Sequence, residues 1–247
     1  MVFVNYMGMM GNNLFQYALA RIIAEKLGYA LNPAFPNELD LPNATVLDGK
    51  RIEGLHEEVL SGHIVDLDAV LTNTQDRKII LNGYFQRVEY YVENRADIKK
   101  WFQVEPFKNS YCINSRDVVL HIRRGNYKKT QSIVDLGFYI QVLDNAIHDR
   151  VFVCGVGVDQ KTKSALQKYN PIYTANKPIE DFSFIQSFNK IVQSTSTFCW
   201  WAAFLSNAKE IYMPCSKTGY WGENSPINLS IKADNYIYIK DVTTGTG

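Results

Sequence analysis

The sequence predicts an α/β protein of two small Rossmann-like lobes facing each other across a cleft. Two observations carry this. Each half opens with a short apolar strand, a turn and a helix, and alternation of β and α continues behind both openings. A chain of 247 residues also has room for two small lobes, which we place at 1–110 and 111–247. No repeat or low-complexity segment interrupts the pattern.

Composition narrows the classes. Hydrophobic residues make up 46% and charged residues 21%, the balance of an ordinary globular chain. The formal net charge of +1 gives no reason to expect nucleic acid or an acidic membrane surface as partner. No apolar run approaches the length of a membrane helix, and Met1–Gly8 has no basic leader. The four cysteines, Cys112, Cys154, Cys199 and Cys215, form no C-x-x-C pair. Cys154 and Cys199 sit in apolar runs as buried thiols, which suits a reducing compartment.

In the first half, Val2–Val4 reads as a strand. Gly8-Met9-Met10-Gly11-Asn12-Asn13 follows as a loop, then a helix from Leu14 to Leu27 that Gly28 ends. A glycine-bearing loop between strand and helix can aim a helix N-terminus at an anion. Residues 32–71 are broken by Pro33, Pro36 and Pro42 into short strands and loops. His56 and His63 lie there without a third metal ligand. Lys78–Asn82 is a strand ending in Gly83-Tyr84-Phe85-Gln86, and a helix is expected over 88–102. Tyr84 and Phe85 can line a sugar pocket or simply pack in the core. A polar link over 106–116 joins the halves.

The second half opens on Asp117–Tyr127, D-V-V-L-H-I-R-R-G-N-Y. Val118-Val119-Leu120 is a buried strand that runs directly into charge. Strand alternation puts His121 and Arg123 on one face and Arg124 on the other. Two arginines at the end of a buried strand suit an anion, above all a phosphate met by a planar fork. They can also be two solvated side chains. A helix is expected over 135–147, with Phe138, Tyr139, Val142, Leu143 and Ile147 on one side. Val151–Val153 is a strand ending in Cys154-Gly155-Val156-Gly157, whose G-V-G lacks the third glycine of a dinucleotide fingerprint. A helix follows over 160–169. Ile191-Val192 is a strand, Ser194, Thr195, Ser196 and Thr197 supply four hydroxyls, and Phe198–Leu205 is an apolar helix. Hydroxyls and free N–H groups at a helix N-terminus make an anion site or an ordinary cap. Trp200 and Trp201 read as packing. Ile211–Met213 and Tyr236–Ile239 complete the strands.

Four of these stretches resemble the family 11 α-1,2-fucosyltransferases. H-I-R-R-G-N-Y is similar to the family's H-x-R-R-G-D-Y, with Asn126 in place of Asp. G-M-M-G-N-N-L-F-Q-Y-A is similar to G-G-L-G-N-Q-L-F-Q-Y-A, and L-N-G-Y-F-Q-R-V-E-Y-Y to L-x-G-Y-F-Q-x-x-x-Y-F. S-T-S-T-F-C-W-W-A-A-F-L is similar to S-N-S-T-F-S-W-W-A-A-x-L. The resemblance implies a small version of the GT-B glycosyltransferase arrangement, with the acceptor on the first lobe and the donor on the second. It implies an inverting transfer of L-fucose from GDP-fucose to the 2-hydroxyl of a galactose-type glycan, with neither metal nor cofactor. Donor contacts then fall to Gly11, Asn12, His121, Arg123, Arg124, Asn126, Ser194, Thr195, Ser196, Thr197 and Phe198. Arg123 is the catalytic residue that neutralises the leaving diphosphate, and Arg124 pairs with an acid behind the site. The resemblance also implies an acid in the region of the strand end at Cys154 that reads guanine; the family's S-D-D there is absent, and Asp159 is the only nearby acid. Glu223, Asp135 and Asp181 are the candidate general bases, since an amide at Asn126 cannot take a proton. Animal members carry a membrane anchor, so a cytoplasmic bacterial or viral form is expected. A different nucleotide-sugar donor and a non-catalytic glycan- or nucleotide-binding relative remain open.

Overall fold

A computed structural model describes residues 1–32, 48–51, 56–106, 108, 111–124, 133–215 and 225–240, and the backbone of 244–245. The chain is α/β with parallel sheets and divides into two compact units. Unit 1 is Met1–Val104 with Pro226–Leu229, and unit 2 is Glu105–Ser225 with Ser230–Gly247. Among the described residues no helix is long and apolar enough to cross a membrane.

Unit 1 begins with β1 (Val2–Val4), α1 (Met10–Leu27), β2 (Glu57–Gly62), α2 (Leu67–Thr72), β3 (Lys78–Gly83) and α3 (Arg95–Trp101). The sheet order is β1-β3-β2, all parallel. Helix α1 starts four residues before the expected Leu14. The N–H groups of Asn12 and Asn13 already bond to Met9 O, at 2.9 and 3.1 Å. Gly11 and Asn12 therefore lie in the first helical turn rather than in a loop. The helix expected over 88–102 is broken into a 3-10 turn, Val88–Tyr90, and α3. The cause is tertiary. The Tyr91 hydroxyl donates to the carbonyls of Phe85 (2.7 Å) and Phe15 (3.2 Å), and the Tyr90 hydroxyl donates to Val65 O (3.1 Å).

Unit 2 continues with β4 (Val118–Arg123), β5 (Ile133–Val134), α4 (Leu136–Asn145), β6 (Val151–Val156), α5 (Gln160–Leu166) and β7 (Ile172–Tyr173). It goes on through α6 (Pro178–Gln186), β8 (Lys190–Val192), α7 (Thr197–Leu205), β9 (Glu210–Pro214), β10 (Tyr236–Ile239) and β11 (Thr244–Gly245). The main sheet has the order β10-β9-β8-β4-β6-β7, parallel throughout, while β5 and β11 pair separately. Both faces are covered, so β4 is apolar on both sides. Val118, Leu120 and Ile122 pack with Phe138, Tyr139, Val142 and Leu143 of α4 and Leu166 of α5. On the other face Phe152 meets Phe184 and Phe188 at 5.9 and 5.2 Å between ring centres. Trp200 and Trp201 are fully buried on α7. Ile147, expected on the packed side of α4, lies beyond its end and is 74% exposed.

From β4 the chain steps to β6 and β7. It then returns through α6 to the opposite side of β4, where β8, β9 and β10 follow. The direction of winding thus reverses between β4 and β8, and crevices at such reversals are where open α/β sheets bind ligands.

The start of β4 is clamped by charge. Asp117 is fully buried and accepts two bonds from Arg150, at 3.0 and 2.6 Å, and one from Asn114 N–H at 2.8 Å. Burial pushes its pKa up, and these bonds more than offset that, so the carboxyl sits below its ordinary range.

At the far end β6 meets β4 very closely. A Cβ on Gly155, where φ is +125°, would lie 2.0 Å from Ile122 O. Gly155→Ala should therefore part the two central strands and destabilise the fold by at least about 2 kcal/mol. Urea denaturation checks this, and wild-type stability of the variant would contradict it.

Candidate functional site

The winding reversal brings together two sequence stretches more than 70 residues apart. Register pairs Leu120 with Val192, so His121–Arg124 and Gln193–Thr197 emerge side by side at the same sheet edge. A direct bond joins them: His121 Nδ1 lies 2.8 Å from Ser194 Oγ. The His121 ring packs 5.8 Å from Phe198, and Phe198 packs 5.5 Å from Phe182. From the opposite face the Tyr139 hydroxyl donates to His121 O at 3.1 Å.

His121 is 3% exposed. Burial, and next the nearby positive charge of Arg123, depress its pKa to about 3, so the ring is neutral at ordinary pH. It positions Ser194 rather than carrying charge.

The two arginines differ as strand alternation predicts. Arg123 is half-buried on the His121 side. Arg124 extends the ladder by one bond, donating its N–H to Val156 O at 2.9 Å, and its charge is felt by Tyr139 on the other face. Its side chain is buried, at 4% exposure. Among the described residues no carboxylate pairs with its guanidinium, and the buried Nε has no hydrogen-bond partner. The acid expected behind Arg124 is not found among them.

Next to the arginines, Ser194, Thr195, Ser196 and Thr197 are all buried, at 1–8% exposure. Ser196 is the N-cap of α7, yet its hydroxyl makes no capping bond. The first-turn N–H groups of the helix are thus not closed off by that side chain. Gln193 gives no signal in the sequence. It is fully buried, and neither its Oε1 nor its Nε2 has a partner among the described residues.

Asp159 is the N-cap of α5. Its Oδ1 accepts from Thr162 N–H at 2.9 Å and from Thr162 Oγ1 at 2.7 Å, capping α5. Asp135 caps α4 in the same way through Gly137 N–H at 2.7 Å. Asp181, in the first turn of α6, is half-buried. It accepts one bond from Asn176 Nδ2 at 2.9 Å and acts on the buried Cys154 thiol at the end of β6. Burial raises its pKa to about 6, against the Asn176 bond. Asn126 and Glu223 lie outside the described residues. Among those described, no three His, Cys, Asp or Glu side chains gather as a metal site would require.

Gly11 and Asn12 belong to unit 1. Asn12 Oδ1 accepts from Gln86 Nε2 at 2.7 Å, and Gln16 bridges Met7 N–H and Gly83 O at 3.2 and 2.9 Å. Asn13 Nδ2 donates to both Met7 O and Gln16 Oε1, each at 3.1 Å.

Comparison with known proteins agrees with the motifs. The profile of glycosyl transferase family 11 matches residues 61–240. The chain belongs to this family. The galactoside alpha-(1,2)-fucosyltransferase 2 of Oryctolagus cuniculus is 23% identical over 268 aligned residues, covering 94% of this chain and 73% of the relative. The glycosyltransferase match spans the arginine strand, the hydroxyl run and the last core strands together.

The neutral state of His121 makes a testable demand on stability. Its folded pKa lies below the unfolded value of about 6.5, so below pH 6.5 the unfolded chain binds the extra proton. The stability from keeping His121 neutral is complete above pH 6.5. It should fall by up to about 1.4 kcal/mol per pH unit as the pH drops from there toward 3. Denaturant titrations from pH 7 to 4 should show a shallower pH slope for His121→Gln than for wild type, and equal slopes would contradict the assignment.

Proposed function

We propose that this family 11 glycosyltransferase is an inverting fucosyltransferase that moves L-fucose from GDP-fucose to the 2-hydroxyl of a galactose-type glycan. The sugar and linkage are supported by the similarity to the alpha-(1,2)-fucosyltransferase of Oryctolagus cuniculus. The anion chemistry is supported by one observation above others: the buried Arg124 guanidinium, with no carboxylate partner among the described residues, beside Arg123 at a winding reversal. A buried unpaired charge is costly, and a diphosphate met there by two guanidinium groups would offset it. The two α/β units are compatible with the GT-B arrangement expected of such an enzyme, with the donor on unit 2.

In this reading the acceptor oxygen bonds to the anomeric carbon as the bond to the GDP oxygen breaks, in a single step, and the hydroxyl proton passes to a general base. Negative charge grows on the leaving diphosphate, where Arg123, Arg124 and the N-terminus of α7 lie ready for it. The reading includes metal independence, since fixed guanidinium groups supply the neutralisation that Mg²⁺ gives elsewhere. The acid that accepts the guanine N1–H and N2–H groups is then Asp181 rather than Asp159, whose Oδ1 is occupied in capping α5.

Calorimetric titration with GDP, ADP and UDP tests the donor. GDP should bind most tightly to wild type, and Asp181→Asn should narrow the gap between GDP and ADP by about tenfold or more. Preference for another nucleotide in wild type would overturn the donor assignment. Transfer should persist in EDTA, and loss of activity that Mn²⁺ restores would overturn metal independence. Arg123→Ala should lower turnover by about 10²-fold or more, as for other groups that stabilise developing charge. Arg123→Lys should recover little, because the planar fork is gone. A folded alanine variant with wild-type kinetics would remove Arg123 from the mechanism.

A further inference from the structure

Unit 1 presents a second set of strand ends, on which His63 and Tyr84 are not among the residues assigned to the donor. Its sheet is parallel, so the chain leaves β2 and β3 at the same edge, with Gly62 and Gly83 in register. The backbones approach so closely there that a Cβ on Gly83 would lie 2.1 Å from Gly62 O. Gly62 O then accepts the N–H groups of Tyr84 and Phe85, at 3.0 and 3.3 Å.

These bonds set His63 beside Tyr84. Their rings stack with centres 5.8 Å apart and planes 25° from parallel. Both side chains are only partly buried, and the neighbouring Ile64 is 63% exposed. Burial, and then the charge of Arg87, lower the His63 pKa from its ordinary value, which favours the neutral imidazole.

The turn that presents Tyr84 is strained and held. Phe85 has φ +50°, a left-handed conformation that bulky residues avoid, with its ring fully buried. Its carbonyl accepts from the Tyr91 hydroxyl at 2.7 Å and from Arg87 N–H at 2.8 Å. Behind it Gln86 bonds to Asn12, and Gln16 bonds to Gly83 O. Strain of this kind persists only where the surroundings over-determine it, and it concentrates at functional sites. A turn needed only to reverse the chain would carry glycine or asparagine at such a position.

We propose that the Tyr84–His63 pair is the acceptor platform of this enzyme, on which a neutral hexopyranose of the glycan stacks. The proposal rests on the glycosyl-transfer reading and deepens it. The chemistry fits that class of ligand. The C–H groups on one face of a galactose-type ring pack against an aromatic surface such as the stacked Tyr84 and His63 rings. The rigid turn holds the platform in place before the sugar arrives, which lowers the ordering cost of binding.

The test uses the full chain with lactose as acceptor and methyl β-D-galactoside as a direct binding probe. Tyr84→Ala should raise the KM for lactose about tenfold or more, with GDP affinity within about twofold of wild type. Tyr84→Phe and Tyr84→Trp, which keep a ring, should stay near wild type. His63→Ala should shift the KM for lactose in the same direction and decides the matter if Tyr84→Ala does not fold. Saturation-transfer NMR should show methyl β-D-galactoside bound to wild type and not to Tyr84→Ala. An unchanged lactose KM in folded Tyr84→Ala or His63→Ala overturns the platform while leaving fucosyl transfer standing. Galactoside binding that depends on Tyr84, in a protein that does not use GDP-fucose, supports the platform and overturns the donor. Wild type that neither binds galactoside nor transfers to lactose overturns both.

Discussion

Strand β4 carries a buried charge at each end, and the described residues neutralise only one of them. At its start, Asp117 is met by the fork of Arg150 and by a backbone N–H, so the cost of burying a carboxylate is repaid locally. At its end, Arg124 is just as enclosed but has no carboxylate partner among those residues. The core around it forces this. Ile122 and Leu120 put Arg124 on the face covered by α4, and the bond from Arg124 N–H to Val156 O keeps the strand straight past its last paired residue. A buried guanidinium without a carboxylate partner among the described residues is the observation behind the proposed anion site.

The sheet supplies the geometry for that anion. Helices α4 and α7 leave adjacent strands on opposite faces, so the space above β4 and β8 is not roofed by either. The buried hydroxyl run and the neutral His121 fill the floor of this edge, and their mutual bond fixes both. Neutrality matters here. A protonated imidazole beside Arg123 would add a third positive charge in a water-poor place, and burial prevents it.

The strand ends of the two units treat their polar groups differently. In unit 1 the amides of Asn12, Asn13, Gln16 and Gln86 bond to one another and to the nearby backbone, at the edge that carries the stacked His63 and Tyr84 rings. In unit 2 the Gln193 amide and Arg124 Nε are buried without partners among the described residues. Each unmade bond of that sort costs about 1–3 kcal/mol. An edge whose amides are paired, and where among the described residues His63 Nδ1 alone of the stacked pair stays buried without a partner, suits a neutral ring bearing hydroxyls, and one with a buried guanidinium and amide unpaired suits a ligand bearing its own charge.

What the sequence alone determined was local. Apolar runs bounded by polar residues marked β1, β3, β4 and β6, and strand alternation correctly separated Arg123 from Arg124. The four family motifs were legible because each is a short contiguous string whose chemistry survives without knowledge of its neighbours. Tertiary structure decided the rest. That β8 lies beside β4, joining His121 to Ser194, follows from strand pairing between distant segments, which no local pattern encodes. That 88–102 is broken depended on hydroxyl bonds from Tyr90 and Tyr91 to residues far along the chain. The surroundings of each acid were decided in the same way. Asp159 and Asp135 are carboxylates near strand ends in sequence, and in the fold each caps its own helix. Asp181, which looks like any first-turn acid, is the one that burial sets apart. Gln193 carried no signal at all, since a lone glutamine is ordinary until the fold closes around it and leaves its amide without a partner.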